Sequence, residues 1–204
     1  LIQGVCNNLY ETRGFHHVWI ALTEEDNKLT SASESGLGKR FEYMLESLKS
    51  GPLPKKVKQV LEKPETIITE GGSESCEDCP LAEECKQGTT ITKRIEYANQ
   101  VYGLISACVP EHFVKHEELR LFEEVVGDLA FGLHDIEIKK QREKTHANLQ
   151  SSKKRFEEIF NNANDAIYLH ELNQDGTPGQ FLEVNDVACE MLGYNKDELL
   201  AMSP

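Results

Sequence analysis

Between about residues 116 and 161 the chain reads as one long helix. Apolar residues recur three and four apart there (Phe122, Val126, Leu129, Leu133, Ile136), which places them on one stripe of a 3.6-residue helix. After Ile138 the stripe thins. Residues 139–154 are almost wholly polar yet contain no Pro or Gly, and apolar spacing resumes at Phe156, Ile159 and Phe160. An unbroken run would extend roughly 65 Å at about 1.5 Å per residue, more than one compact domain can cover with its own core. Two readings are open: an amphipathic helix that stops near Ile138 and gives way to a polar linker, or a signalling helix that joins two bodies. In the second reading the helix pairs with a second copy as a parallel coiled coil, weakly because of its polar middle.

Upstream, the pattern alternates between helical and strand periods. Residues 1–11 predict a short helix with Ile2, Val5, Cys6, Leu9 and Tyr10 on its apolar side. Residues 15–22 (FHHVWIAL) are aromatic and β-branched enough for a buried strand, and a polar turn at 24–27 leads to a weaker strand at 28–33, a hairpin pattern. A helix at 40–48 follows, then a second at 55–62, introduced by Pro52 and Pro54 and ended by Pro64. A short strand at 66–69 runs into a loop opened by Gly71, Gly72 and Ser73. Strands resume at 89–97 and, after a turn at 98–100, at 101–109, the most hydrophobic of them, which Pro110 closes. This order predicts an α+β fold: a mostly antiparallel sheet with helices grouped on one face, then the long helix.

Composition narrows the partners. With 28% charged residues and a formal net charge of -13, a nucleic-acid backbone or an anionic membrane surface is disfavoured, and cations or basic surfaces fit better. No apolar run is long enough to span a bilayer, and the first residues do not read as a signal peptide. The chain opens on Leu1 and stops at Pro204 inside an unfinished pattern, so it is expected to be an excised part of a longer protein. Three of its six cysteines fall within ten residues, a local cluster that fits a reducing cytoplasm better than a secreted disulfide framework.

That cluster carries the candidate chemistry. In Cys76-Glu-Asp-Cys79-Pro-Leu-Ala-Glu-Glu-Cys85 the C-x-x-C pair can place two thiolates on one tetrahedral metal, Cys85 can supply a third, and Cys108 a fourth if the loop folds over the sheet. Zinc, an iron-sulfur cluster and haem are all compatible with the spacing; haem would draw an axial ligand from His112 or His116. A disulfide staple, or thiols without a role, is the plain alternative. Six acidic residues (Glu70, Glu74, Glu77, Asp78, Glu83, Glu84) flank the thiols, and like charge raises a thiol pKa, which predicts slow nucleophiles unless a cation offsets it. His16 and His17 occupy consecutive strand positions and face opposite sides, so one of them can line a pocket on the sheet, although a structural role accounts for it as well.

The order of elements and the strand VYGLISACVP, with its Tyr102-Gly103 turn and the Phe113-x-x-x-Glu117-Glu118 start of the last helix, resemble a GAF domain over residues 1–138. Where cyclic-nucleotide-binding members place Asn-Lys, this chain has Val109-Pro110-Glu111, and the Cys-His pair of bilin-binding members does not occur. Similar CxxCP loops occur in a subset of the family. Residues 155–204 resemble the opening half of a PAS domain: RFEEIFNNANDAIYLHEL supplies a helix and first strand, FLEVNDVACEMLGYNKDELL the next strand and helix. Asn185, Asp186, Ala188, Leu192, Gly193, Tyr194, Glu198 and Leu199 match the pattern; Asn185 is placed to cap a helix whose apolar side carries Cys189 and Leu192.

The two resemblances imply a GAF sensor domain (1–138), a signalling helix or linker (139–154) and the N-terminal part of a PAS domain (155–204), as in prokaryotic sensor histidine kinases. They imply a cytoplasmic homodimer through the long helix, an unknown small ligand or redox signal, and downstream PAS and kinase domains in the parent. Neither phosphoacceptor nor ATP-binding motifs occur here, so no catalytic residue is expected. A ligand-free dimerisation module and an enzyme resembling the methionine-sulfoxide-reducing GAF proteins are the alternatives.

Overall fold

The computed structural model describes residues 1–24, 28–50, 53–71, 78–86, 88–110 and 116–204. Most of the predicted polar turn at 24–27, together with Pro52, Gly72, Ser73, Cys76, His112 and Phe113, lies outside them. The chain divides into two units, Leu1–Ile138 and Lys139–Pro204.

In the first unit β1 (His17–Thr23), β2 (Leu29–Ser35), β3 (Ile67–Glu70), β4 (Thr89–Tyr97) and β5 (Gln100–Val109) form an antiparallel sheet in the order β2-β1-β5-β4-β3. β4 and β5 are joined by Ala98 and Asn99, both at positive φ (51° and 65°), the sense of backbone twist that lets a two-residue turn follow the twist of its strands. Where β5 steps past a bulge in β4, Gly103 sits at φ 141°, and a Cβ there would lie 2.0 Å from the carbonyl oxygen of Ala21. Glycine is required at that position, which accounts for the Tyr102-Gly103 pair.

β1 and β5 are apolar at consecutive positions, so both faces of the sheet must be covered. Val18, Ile20, Ile91, Ile95, Ile105, Ala107 and Val109 face α1 (Ile2–Arg13) and the first half of α4 (His116–Asn161), which inserts Phe122, Val126, Leu129 and Ala130. Trp19, Ala21 and Leu104 face the other way, against α2 (Phe41–Ser50), α3 (Lys55–Glu62) and Leu81 of the cysteine loop. The expected one-face grouping therefore describes α1 and α4, while α2 and α3 cover the second face. Along α4 the stripe leaves the core after Leu133, and Ile136 is exposed; the polar residues 139–154 nonetheless stay helical.

In the second unit β6 (Tyr168–Leu172) and β7 (Pro178–Val184) form a hairpin, followed by α5 (Asp186–Leu192) and α6 (Lys196–Leu200). Asn185 caps α5 as predicted, and a reciprocal Asn195/Glu198 capping box starts α6. The core is small: Val184, Ala188 and Leu199. Leu192, assigned by spacing to the apolar side of α5, is 42% exposed, because the short helix packs through Ala188. No helix among the described residues is long and apolar enough to cross a membrane.

Candidate functional site

On the second sheet face, strand register builds a polar row into an otherwise apolar surface. His17 of β1 pairs with Cys108 of β5, and Cys108 with Thr90 of β4, so the three side chains line up across three adjacent strands. The next row, Trp19–Ser106–Thr92, contains a hydrogen bond of 2.9 Å between the Thr92 and Ser106 hydroxyls. Over the first row lies a single 3₁₀ turn, Glu83–Cys85, which lowers Cys85 onto it. Cys85 Sγ lies 3.7 Å from His17 Nε2, and His17, Cys85 and Cys108 offer three donor atoms all within 4.8 Å of one another. All three residues are buried.

The loop is held from several sides. Leu81 is buried among α2 and α3, the Asp78 carboxylate accepts the Lys55 amide at 2.7 Å at the start of α3, Glu84 pairs with Arg40, and Glu83 pairs with Lys86 at 2.6 Å. Gly88 closes the return to β4: a Cβ there would come within 2.7 Å of the Val109 carbonyl oxygen and 2.9 Å of Cys108 Sγ. Much of the acidity that flanks the thiols in sequence is thus spent on capping and pairing. The consequence at Cys85 runs against the expected rise: its thiol is pushed down to about 4, first by hydrogen bonding with Cys108 and further by His17, against the effect of burial. Burial pushes the Cys6 thiol of α1 up to about 12, which marks it as a packing residue.

A cleft of about 30 Å³, room for one or two waters, opens beside Cys85. Trp19, Met44, Cys79, Thr90 and Ser106 contribute to its lining. The Thr90 hydroxyl is buried there beside Cys85, and interaction with it lowers that thiol further. Of the residues singled out in the sequence, Cys85 and Cys108 come together, Cys79 lines the cleft, and His116 is the exposed first residue of α4; Cys76 and His112 are outside the described residues. Sequence reasoning left His17 between pocket and structural roles and passed over Thr90. Alternation in FHHVWIAL does put His17 on the face of Trp19, but only the pairing of β1 with β5 brings it to Cys108.

Comparison with known proteins agrees with this architecture. Residues 154–203 match the PAS domain family model. A segment of 54 residues is 43% identical to a methyl sulfide methyltransferase-associated sensor of Methanosarcina acetivorans, a match spanning 26% of this chain and 5% of that protein. Among solved structures, the photoproduct state of GAF3 from Slr1393 of Synechocystis sp. PCC6803 covers 69% of this chain and 95% of its own, at 13% identity and a TM-score of 0.51. A domain of a protein assigned as a two-component sensor histidine kinase, from Sinorhizobium meliloti 1021, covers 70% and 94%, at 13% identity and a TM-score of 0.52. At that identity the likeness shows the fold. The chain therefore carries a GAF fold followed by a PAS-domain segment.

Proposed function

We propose that this chain is the sensory input region of a signal-transducing histidine kinase. Its GAF domain (1–138) detects a small ligand or a redox state at the buried thiols, the helix at 139–154 relays the change along a homodimer by shifting it between two arrangements, and the PAS part (155–204) passes it to downstream PAS and kinase domains. The carrying observation is the convergence of Cys85, which lines a cleft, with Cys108 and His17, in a fold whose last helix continues through an exposed polar stretch to Asn161. A protein of this kind works in a reducing cytoplasm, where its thiols stay available.

The test is hydrogen–deuterium exchange of the whole chain with and without diamide, which takes up the two electrons and two protons released when Cys85 and Cys108 join as a disulfide. Oxidation is expected to change exchange within 139–154, and not in a Cys85→Ser, Cys108→Ser double variant. Unchanged exchange, with a monomeric mass by light scattering at every concentration, would sink the reading.

A further inference from the structure

The three donors at the end of the sheet have a geometry of their own. A tetrahedral zinc with Zn–S of about 2.3 Å and Zn–N of about 2.0–2.1 Å holds its sulfurs about 3.8 Å apart and a sulfur and a nitrogen about 3.6 Å apart. His17 Nε2 and Cys85 Sγ are 3.7 Å apart, and all three donor atoms fall within 4.8 Å, so a contraction of about an ångström at most completes the triangle. Borderline-soft divalent ions favour such a mixed imidazole and thiolate set. The donors come from two sheet strands and a turn pinned at both ends, so the set is assembled before any metal arrives.

A second observation concerns the side of the set that faces the cleft. Thr90 continues the His17–Cys108 row, and its buried hydroxyl lies beside Cys85 in the lining of a cleft large enough for water. A hydroxyl there offers one donor and two acceptor lone pairs, so it can bond a guest in the cleft as well as a neighbour in the row. Three protein ligands and an open fourth position is the arrangement of zinc sites that bind exogenous ligands, as opposed to four-ligand structural sites.

We propose that His17, Cys85 and Cys108 bind one zinc-type divalent ion whose fourth position faces the cleft, where Thr90 hydrogen-bonds a water or a ligand of similar size. This rests on the sensory reading above and narrows it: the ligands are the histidine of β1 and the two thiols that meet it, not the C-x-x-C pair.

The experiment is titration of the reduced, chelator-stripped whole chain with cobalt(II) under nitrogen, followed by displacement with zinc. One equivalent is expected to give thiolate-to-cobalt charge transfer and intense tetrahedral visible bands, both erased by zinc. Loss of a partner behind a ligand costs 10–100-fold in affinity, so Cys85→Ser, Cys108→Ser and His17→Gln should each lose more than about a hundredfold. Cys79→Ser should keep the affinity and the bands. Thr90→Val leaves the ligands in place and should keep the stoichiometry while shifting the visible bands. Circular dichroism of each metal-free variant separates lost ligands from lost folding, and Thr90→Val keeps the proposal testable should the cysteine variants not fold. No cobalt bands in the native chain, or their loss in Cys79→Ser, would overturn it. Normal cobalt binding with no effect on the helix at 139–154 would instead leave the metal site standing and remove the relay.

Discussion

Asn185 has no exposed surface and uses its whole side chain. Its oxygen accepts the amides of Ile167 and Ala188, and its nitrogen donates to the carbonyls of Phe160 and Asp165, all between 2.9 and 3.0 Å. One residue thus ties the last turn of α4, the approach to β6 and the start of α5. Asn185→Ala should destabilise the second unit by at least about 2 kcal/mol, since it removes a cap and strands buried partners; urea unfolding followed by circular dichroism measures it. Gly88 is the corresponding point in the first unit. Its neighbours at 2.7 and 2.9 Å include a backbone carbonyl that cannot swing aside, so Gly88→Ala should cost about 1–3 kcal/mol by denaturant titration. The cap was legible in the sequence because it acts over three residues. The crowding at Gly88 was not, because it depends on where β5 ends.

At the scale of elements, α4 is pinned to the sheet edge by Glu123, which accepts from the Thr66 hydroxyl and from Lys93 Nζ at 3.1 Å. The Thr66 hydrogen bond, then Lys93, hold its carboxyl below the ordinary range, with partial burial opposing them. A depressed carboxyl stabilises the fold above its unfolded-state pKa, and that contribution is lost as pH falls through the folded-state value. The side chain is 40% exposed, so the effect should stay under about 1 kcal/mol. Glu123→Gln should therefore lower the melting temperature slightly at neutral pH and not at all once the pH is below the carboxylate range, read from melting curves at stepped pH. Periodicity made most elements legible: β4 at 89–97, α3 at 55–62 and α4 at 116–161 match their expected bounds. It could not say that β5 would lie between β1 and β4, and the site depends on that order. Nor could it separate helices on one face from helices on two, because runs such as VWIA in β1 are apolar at both parities.

For the whole chain, two units with separate cores are expected to unfold in separate transitions. Scanning calorimetry should resolve two components, the smaller shifted down by Asn185→Ala and the larger by Gly88→Ala; one transition moved by both variants would show a single cooperative unit. The net charge of -13 adds a common repulsion that salt screens, so both components should rise between dilute buffer and about 0.15 M salt. The row His17–Cys108–Thr90 carries one more consequence. Cys108 and Thr90 share the β4–β5 hairpin while His17 comes from far earlier in the chain, and the three meet only when two separate pairings are in register. A slip of β5 by one residue would offer Ala107 or Val109 in place of Cys108 and leave no second thiol. An ion bound there would stabilise only the correctly paired sheet, so metal supply would proofread folding before it reported any signal.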